Sequence, residues 1–390
     1  MSELSVVFVG ASRISFSGHG HSTRIERILG SRLRVVAIVD PDAPRAEKVL
    51  AEKRAGERAA AYASCKVYSS VQRLLSGSQE HADIAIVAAP PIARGSVSAG
   101  ADVEVMLAQA WPGVAILVER PVSLEPVASV HAAATRLAEQ SSIVAVGYHL
   151  RALKVVQELK RMLKENKLEV VSVSALFSIP QLPQFGAWPL EPKLAGGPIV
   201  EVATDFVDLI RFIGGEVDLR TVQALVTEPD EPAGAAPISA ADGRKIAPDS
   251  RAPRSVQSMW KHENGAVGSL HYISATHDGP WQTELTVATN GWSFRLAELW
   301  TRPTLIYRKP GDDGYTPISF EYDDPYTIEA FLAARSSRRP QDVICTFADG
   351  AKSYELSWAI RTAGDRSTAH RRAETNGVKM SRANSGSSAT

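Results

Sequence analysis

An apolar run, Val6-Val7-Phe8-Val9, ends in Gly10-Ala11-Ser12-Arg13-Ile14-Ser15. A dinucleotide pyrophosphate needs a turn whose backbone approaches it closely, and Gly-x-Gly-x-x-Gly after a strand supplies one. Gly10 keeps the first position, while the small residues Ser12 and Ser15 take the other two and add hydroxyl donors for phosphate. The next apolar run, Val35-Val36-Ala37-Ile38-Val39, ends in Asp40. A carboxylate there accepts hydrogen bonds from an adenosine ribose and repels a 2′-phosphate, which favours NAD over NADP. Arg13 can offset that repulsion and leaves NADP open. Further runs end in Ala88-Ala89-Pro90-Pro91, in Val118-Glu119-Arg120-Pro121 and in Val146-Gly147-Tyr148-His149. Ligands bind outside the carboxyl ends of parallel strands, so all three segments should face the cofactor. A histidine such as His149 suits proton exchange near neutral pH.

A second set of polar groups lies later in the chain. Glu201, Asp205 and Asp208 are spaced by four and three, which puts three carboxylates on one face of a helix. Lys193 lies on the approach to that helix, three residues before Gly196. Trp188, Trp281 and Trp292 can wall a substrate cavity or simply pack a core. His19 and His21 have the look of a metal pair, but they sit in a glycine-rich loop with no nearby cysteine, and no metal is expected.

The elements that must carry these groups follow from the hydrophobic pattern. The first third alternates short, nearly all-apolar runs with helical stretches at 44–60 and 127–140. Strands buried on both faces have this composition, and the βαβ repetition predicts a doubly wound parallel sheet. After residue 151 a helix at 152–164 and a strand at 170–177 lead to a helix at 198–213, flanked by Gly196-Gly197 and Gly214-Gly215. Strands then dominate. Asn264-Gly265 and Asn290-Gly291 each separate two β-prone runs, which is a hairpin signal, and a third pair surrounds 311–314. The expected fold is α/β, an N-terminal Rossmann domain at 1–150 followed by an α+β domain at 151–365 with a mostly antiparallel sheet. Residues 228–255, with five prolines and no periodicity, read as a mobile excursion. Residues 366–390, with five basic residues and one acidic, read as a disordered, solvated tail.

The chain has 390 residues, with 43 Lys+Arg against 43 Asp+Glu, so no net charge draws it to nucleic acid or an anionic membrane. Two cysteines make no disulfide framework. No apolar run approaches the roughly 20 residues needed to span a bilayer, and a strand begins almost at once, which reads as a cytoplasmic protein without a leader.

Taken in order, these segments resemble the Gfo/Idh/MocA family of nicotinamide-dependent oxidoreductases. The matching set is the Gly10 turn, Ile38-Val39-Asp40-Pro41, Ala89-Pro90-Pro91, Glu119-Arg120-Pro121, Gly147-Tyr148-His149-Leu150-Arg151, Gly196-Gly197-Pro198-Ile199-Val200-Glu201 and Asp205-Phe206-Val207-Asp208-Leu209. The resemblance implies a dinucleotide held by Gly10, Ala11, Ser12, Arg13, Ile14, Asp40, Ala89, Pro90, Glu119 and Arg120, with the active site where the two domains meet. It also implies hydride transfer to or from a polyhydroxylated or cyclic small molecule, in subunits that pair through open sheet faces. Two departures stand out. The family's usual proton-relaying lysine is Arg120 here, and its usual histidine is Asp205. A guanidinium, with a pKa above about 12, cannot relay protons, though it can grip a carboxylate or polarise a carbonyl. Catalytic work is therefore expected from Arg120, Lys193, Glu201, Asp205, Tyr148 and His149. Two other readings stay open: a dinucleotide-binding regulator without dehydrogenase activity, and a non-redox isomerase or lyase built on the same site.

Overall fold

The computed structural model describes residues 3–140, 142–180, 196–234, 252–276, 281–322, 331–333, 335–336 and 342–386. It divides into two units, Met1–Leu153 with Asp323–Tyr354, and Lys154–Tyr322 with Glu355–Thr390.

The first unit runs β1 (Leu4–Val9), α1 (Arg13–Phe16), α2 (His21–Leu29), β2 (Leu33–Val39), α3 (Ala43–Arg54), β3 (Lys66–Tyr68), α4 (Val71–Gly77), β4 (Ile84–Val87), α5 (Val103–Ala110), β5 (Ala115–Val118), α6 (Val127–Glu139) and β6 (Ile143–Val146). All strands pair in parallel, in the order β3-β2-β1-β4-β5-β6. That is the strand order of a doubly wound dinucleotide-binding sheet, which reverses direction between β1 and β4. Consecutive residues Val6, Val7 and Phe8 are all fully buried, so both faces of the central strand are covered. The three-residue β3 is absent from the sequence reading. It is too short to show a period.

This unit is not closed at residue 150. Thr346 forms an antiparallel bridge to Ala145, and the Val146 N–H donates to Cys345 O at 2.9 Å. Arg151, 1% exposed, donates to Ile344 O at 3.1 Å and pairs with Asp349. The Tyr354 hydroxyl donates to Glu125 O at 2.7 Å. A late segment thus completes the edge of the N-terminal sheet, where the sequence reading has a simple break.

The second unit comprises α7 (Lys154–Glu165), β7 (Val170–Pro180), α8 (Gly197–Glu201), α9 (Thr204–Gly214), β8 (Val217–Thr227), β9 (Ser255–His262), β10 (Val267–Thr276), β11 (Gln282–Thr289), β12 (Ser293–Ala297), β13 (Thr304–Arg308) and β14 (Thr316–Ser319). The chain ends in the long helix α10 (Phe347–Gly386). The strand order is β14-β13-β12-β11-β7-β10-β9-β8, antiparallel throughout except for the parallel pair β7 and β10. Both Asn-Gly hairpins form as expected, β9 to β10 and β11 to β12. Along β9, Val256, Ser258, Trp260 and His262 are buried while the alternate residues are exposed, as a sheet covered on one face requires. On the covered face α9 packs on β7 and β10, with Phe206 4.8 Å from Phe177 between ring centroids.

Two segments carry more structure than the sequence reading gives them. Within 228–255, Glu228 to Gly234 forms a hydrogen-bonded turn, Ala252 and Arg254 are buried, and the Arg254 N–H donates to Thr227 O at 2.8 Å; residues 235–251 lie outside the described residues. The tail expected at 366–390 is helical as far as Gly386. Its Thr368, Arg371 and Arg372 meet Glu228, Glu231 and Asp230 at 2.9, 2.6 and 2.8 Å. The basic charge that looked solvated has an acidic turn as its counterpart. Among the described residues, no helix is long and apolar enough to cross a membrane.

Candidate functional site

The turn after β1 is set by Gly10. Its φ is +105°, and a Cβ there would lie 2.7 Å from the Ala88 carbonyl and the Ala89 nitrogen, so neither the torsion nor the space admits another residue. The Gly10 N–H donates to Val39 O at 2.8 Å, and the buried Ser15 hydroxyl donates to Gly10 O at 2.7 Å. Ser15 therefore locks the turn from within. Ser12 Oγ is buried and has no partner among the described residues, which leaves a hydroxyl to spend on a ligand. Arg13 and Ile14 are exposed beside it.

Asp40 is 3% exposed and heavily engaged. It accepts the Ala11 N–H at 2.7 Å, the Asp42 N–H at 2.9 Å and Arg45 Nη2 at 2.6 Å. A carboxylate offers about four lone-pair positions, so one remains for a ribose hydroxyl. The cation on Asp40 is Arg45, in the first turn of α3.

At the end of β5, Glu119 is pinned from several sides. His21 Nε2 donates to its Oε1 at 2.6 Å, and the Arg120 N–H donates to Oε2 at 3.2 Å. Burial alone would push the Glu119 carboxyl up. The hydrogen bond and charge of His21, with the charges of Arg120 and Arg94, override this and hold it down at about 2. Arg94 is 2% exposed, and its guanidinium donates to Ala89 O at 2.7 Å, to Val122 O at 3.0 Å and to Glu119 O. A Cβ on Gly147, after β6, would lie 3.6 Å from Glu119 Oε1, so the strand end carrying Tyr148 and His149 borders this carboxylate. His149 is half-buried; Tyr148, 2% exposed, lines a small internal cavity with Ala145, Val146 and Cys345.

In the second unit, Glu201 closes α8, while Asp205 and Asp208 lie on α9. The single helix expected over 198–213 is broken at Val202 and Ala203, where the Ala203 N–H reaches back five residues to Pro198 O at 2.8 Å. The three carboxylates are 6%, 3% and 1% exposed. Trp281 belongs to an aromatic cluster, 5.3 Å from Trp300 and 6.0 Å from Phe177. Trp292 stacks on Tyr307 at 5.9 Å with Lys309 over its ring. Lys193 and Trp188 lie outside the described residues. His21, considered with His19 for a metal, is bonded to Glu119 instead, and no group of three or more metal-ligating side chains occurs among the described residues.

Residues 4–148 match the oxidoreductase family with an NAD-binding Rossmann fold, Gfo/Idh/MocA, and residues 151–292 match an oxidoreductase C-terminal domain. An uncharacterized protein of the yeast Schizosaccharomyces pombe is 33% identical over 350 residues, 88% of this chain and 86% of its own. The chain belongs to the Gfo/Idh/MocA oxidoreductases. Solved structures share the family's fold. The UDP-N-acetylglucosamine 3-dehydrogenase of Acidithiobacillus ferrooxidans superimposes with a TM-score of 0.68 at 19% identity, covering 94% of this chain and 99% of that one. A 3-ketoreductase of Actinomadura kijaniata, solved with NADP and TDP-benzene, gives 0.65 at 14% identity, covering 93% and 98%.

The depressed Glu119 carboxyl has a consequence for stability. A carboxylate held below its usual 4.5 contributes stability that is fully present above that value and is lost as pH falls toward about 2. Glu119→Gln should cost about 3 kcal/mol at pH 7, and should flatten the acid limb of stability between about pH 4.5 and 2. Denaturant titrations of both proteins from pH 3 to 7 check this; parallel curves would contradict it.

Proposed function

We propose that this Gfo/Idh/MocA protein is an NAD(P)-dependent oxidoreductase that moves a hydride between nicotinamide and an alcohol or ketone carbon of a polyhydroxylated or cyclic small molecule. The observation that carries the reading is the Gly10 turn, packed on Ala88 and Ala89 with a buried, unpartnered Ser12 hydroxyl at its apex. That cradle fits a dinucleotide phosphate: the backbone is bare, and a donor is waiting. A bound nicotinamide supplies or accepts the hydride. Gly10, Ala11, Ser12, Arg13 and Ile14 line the dinucleotide, with Ala89, Pro90 and Glu119 at neighbouring strand ends. Asp40 shapes the turn and offers its last lone pair to the ribose. Arg120 grips an anionic or carbonyl oxygen of the substrate and does not exchange its proton. Proton exchange at the substrate oxygen falls to His149, Lys193, Glu201 or Asp205, whereas the enclosed ring of Tyr148 favours a packing role. A sugar-like substrate is supported by the neighbours that act on, or were solved with, nucleotide sugars and related ligands. The reading of a regulator or a non-redox enzyme rests on Arg120 and Asp205, and the Arg120 variants below separate it. Neither cysteine forms a disulfide, which supports a cytoplasmic setting.

The protein should bind NAD more tightly than NADP. Arg45 neutralises the carboxylate that would repel a 2′-phosphate, so Arg45→Ala should weaken NADP about 10-fold more than NAD, or about 1.4 kcal/mol. Calorimetry with both nucleotides decides this. Tighter NADP binding by the natural protein would overturn the preference and make Arg45 a phosphate ligand.

On a substrate found by following nicotinamide absorbance across polyols, sugars and ketones, Arg120→Lys should lose about 100-fold in kcat/KM, because a point-like ammonium cannot replace a two-pronged contact. Higher turnover in the lysine variant than in the natural protein would show that the site has decayed from a lysine-dependent one.

Exposed apolar residues on the second sheet support a homo-oligomer. Leu225 and Met259 are 63% and 55% exposed, beside small Ser174, Ser269 and Thr286, around a groove of about 960 Å³. A second copy of this face is the proposed occupant. Light scattering should give a dimer or larger, and Met259→Lys should shift it toward monomer; a monomeric natural protein would refute the assignment.

A further inference from the structure

We propose that His21 and Arg94 are positioning residues for Arg120, bracing the Glu119–Arg120–Pro121–Val122 turn from two sides and tying it to the nucleotide-binding turn. The inference rests on the reading of Arg120 as a substrate anchor.

The turn has few means of holding itself. Pro121 has no N–H to give, and buried carbonyls flanking it need donors from elsewhere. Arg94 supplies them, donating both to Glu119 O and to Val122 O, the carbonyls on either side of Arg120-Pro121, while Nε holds Ala89 O at 2.7 Å. Its own place is fixed in turn. The Ser123 hydroxyl donates to Arg94 O at 2.7 Å, and the next residue, Gly95, has φ +78° with its missing Cβ only 2.0 Å from Val122 O. The Gly95 N–H donates to the buried Glu104 carboxylate at 2.8 Å.

The second brace is the His21–Glu119 pair, in which both side chains are largely buried at 5% and 15% exposure. Glu119 Oε1 takes the imidazole and Oε2 takes the Arg120 amide, so the carboxylate is a rigid link between His21 and the backbone of Arg120. His21 is the first residue of α2, and the segment before it has little slack. Gly20 packs so closely that a Cβ would lie 2.7 Å from Ser15 O, and Ser15 is itself bonded to Gly10 O. A movement of the Gly10 turn is therefore carried through Ser15, Gly20 and His21 to Glu119 and Arg120. Nucleotide occupancy and the aim of the guanidinium become one mechanical unit.

The test compares His21→Leu, His21→Gln, Arg94→Met and Arg94→Lys in the full-length protein. The first readout is independent of activity: the rate at which phenylglyoxal modifies Arg120, resolved by mass spectrometry against exposed Arg161 as an internal reference. His21→Leu and Arg94→Met should raise the Arg120 rate about 10-fold and leave Arg161 unchanged, with folding checked by circular dichroism. His21→Gln, whose amide can still donate to Glu119, should restore the natural rate, and Arg94→Lys should restore it in part. NAD should slow Arg120 modification in the natural protein and fail to do so in His21→Leu. The second readout is kinetic: His21→Leu should lose about 100-fold in kcat/KM, the cost of a misplaced group, and should add nothing to Arg120→Ala. An unchanged Arg120 rate in both apolar variants would overturn the proposal, as would equal acceleration at Arg161, failure of glutamine to rescue, or additive losses with Arg120→Ala. If the natural protein binds neither dinucleotide, the proposed function fails, while the modification rates without nucleotide still decide the brace.

Discussion

Where a side chain on Gly10 would stand, the backbone of Ala88 and Ala89 stands instead. That single close approach brings the ends of β1 and β4 together at the point where the sheet reverses its winding. Three polar side chains are arranged around it. Ser15 closes the turn on its inner side, Asp40 holds the amide of Ala11, and Ala89 passes its carbonyl to Arg94. A methyl group at position 10 would disturb all of these at once, because each depends on the backbone path that the missing side chain permits.

Charge is used in two ways. In the first, Arg94, Asp40 and Glu119 are withdrawn from water and matched by backbone groups as well as by opposite charges. Hydrogen bonds to charged groups in such places contribute about 1.5–3 kcal/mol each, and removing one partner leaves the other stranded. In the second, the pairs of Arg371 with Glu231 and Arg372 with Asp230 are 32–50% exposed, where such contacts contribute about 0–1 kcal/mol. The former fix geometry near the Gly10 turn. The latter steer the end of α10 without making the fold depend on it.

The architecture was largely legible because it is written in periods and turns. Unbroken apolar runs marked the parallel strands, and Asn264-Gly265 and Asn290-Gly291 marked hairpins, the first of which uses a left-handed glycine, Gly265 with φ +90°. The site was legible only where a backbone demand selects a residue type, as at Gly10. Arg94 looked like any surface arginine, since nothing in its neighbourhood along the chain announces three carbonyls waiting in space. His21 and Glu119 are 98 positions apart, and nothing along the chain announces a carboxylate partner for a histidine in a glycine-rich loop. Arg45 sits five residues after Asp40, in a stretch whose composition shows only that it is helical. The break between Glu201 and Asp205 was hidden for another reason: a helix spacing of four and three survives on paper even when the Ala203 amide skips a residue. Pairings distant in sequence, and a local change of hydrogen-bond register, leave no trace in composition.

The bridge from Thr346 to Ala145, with Asp349 on Arg151 and Tyr354 on the Glu125 carbonyl, bears on the order of events at birth. These contacts join parts of the chain about 200 residues apart, a separation that raises contact order and slows folding. During synthesis the strands β1 to β6 emerge first and can pair, but the edge beyond β6 must wait, incompletely covered, while the whole second sheet is made. Only after residue 354 has left the ribosome does the N-terminal unit acquire its last partner. For that interval its exposed strand edge is the part of the nascent protein most in need of protection from pairing with another chain.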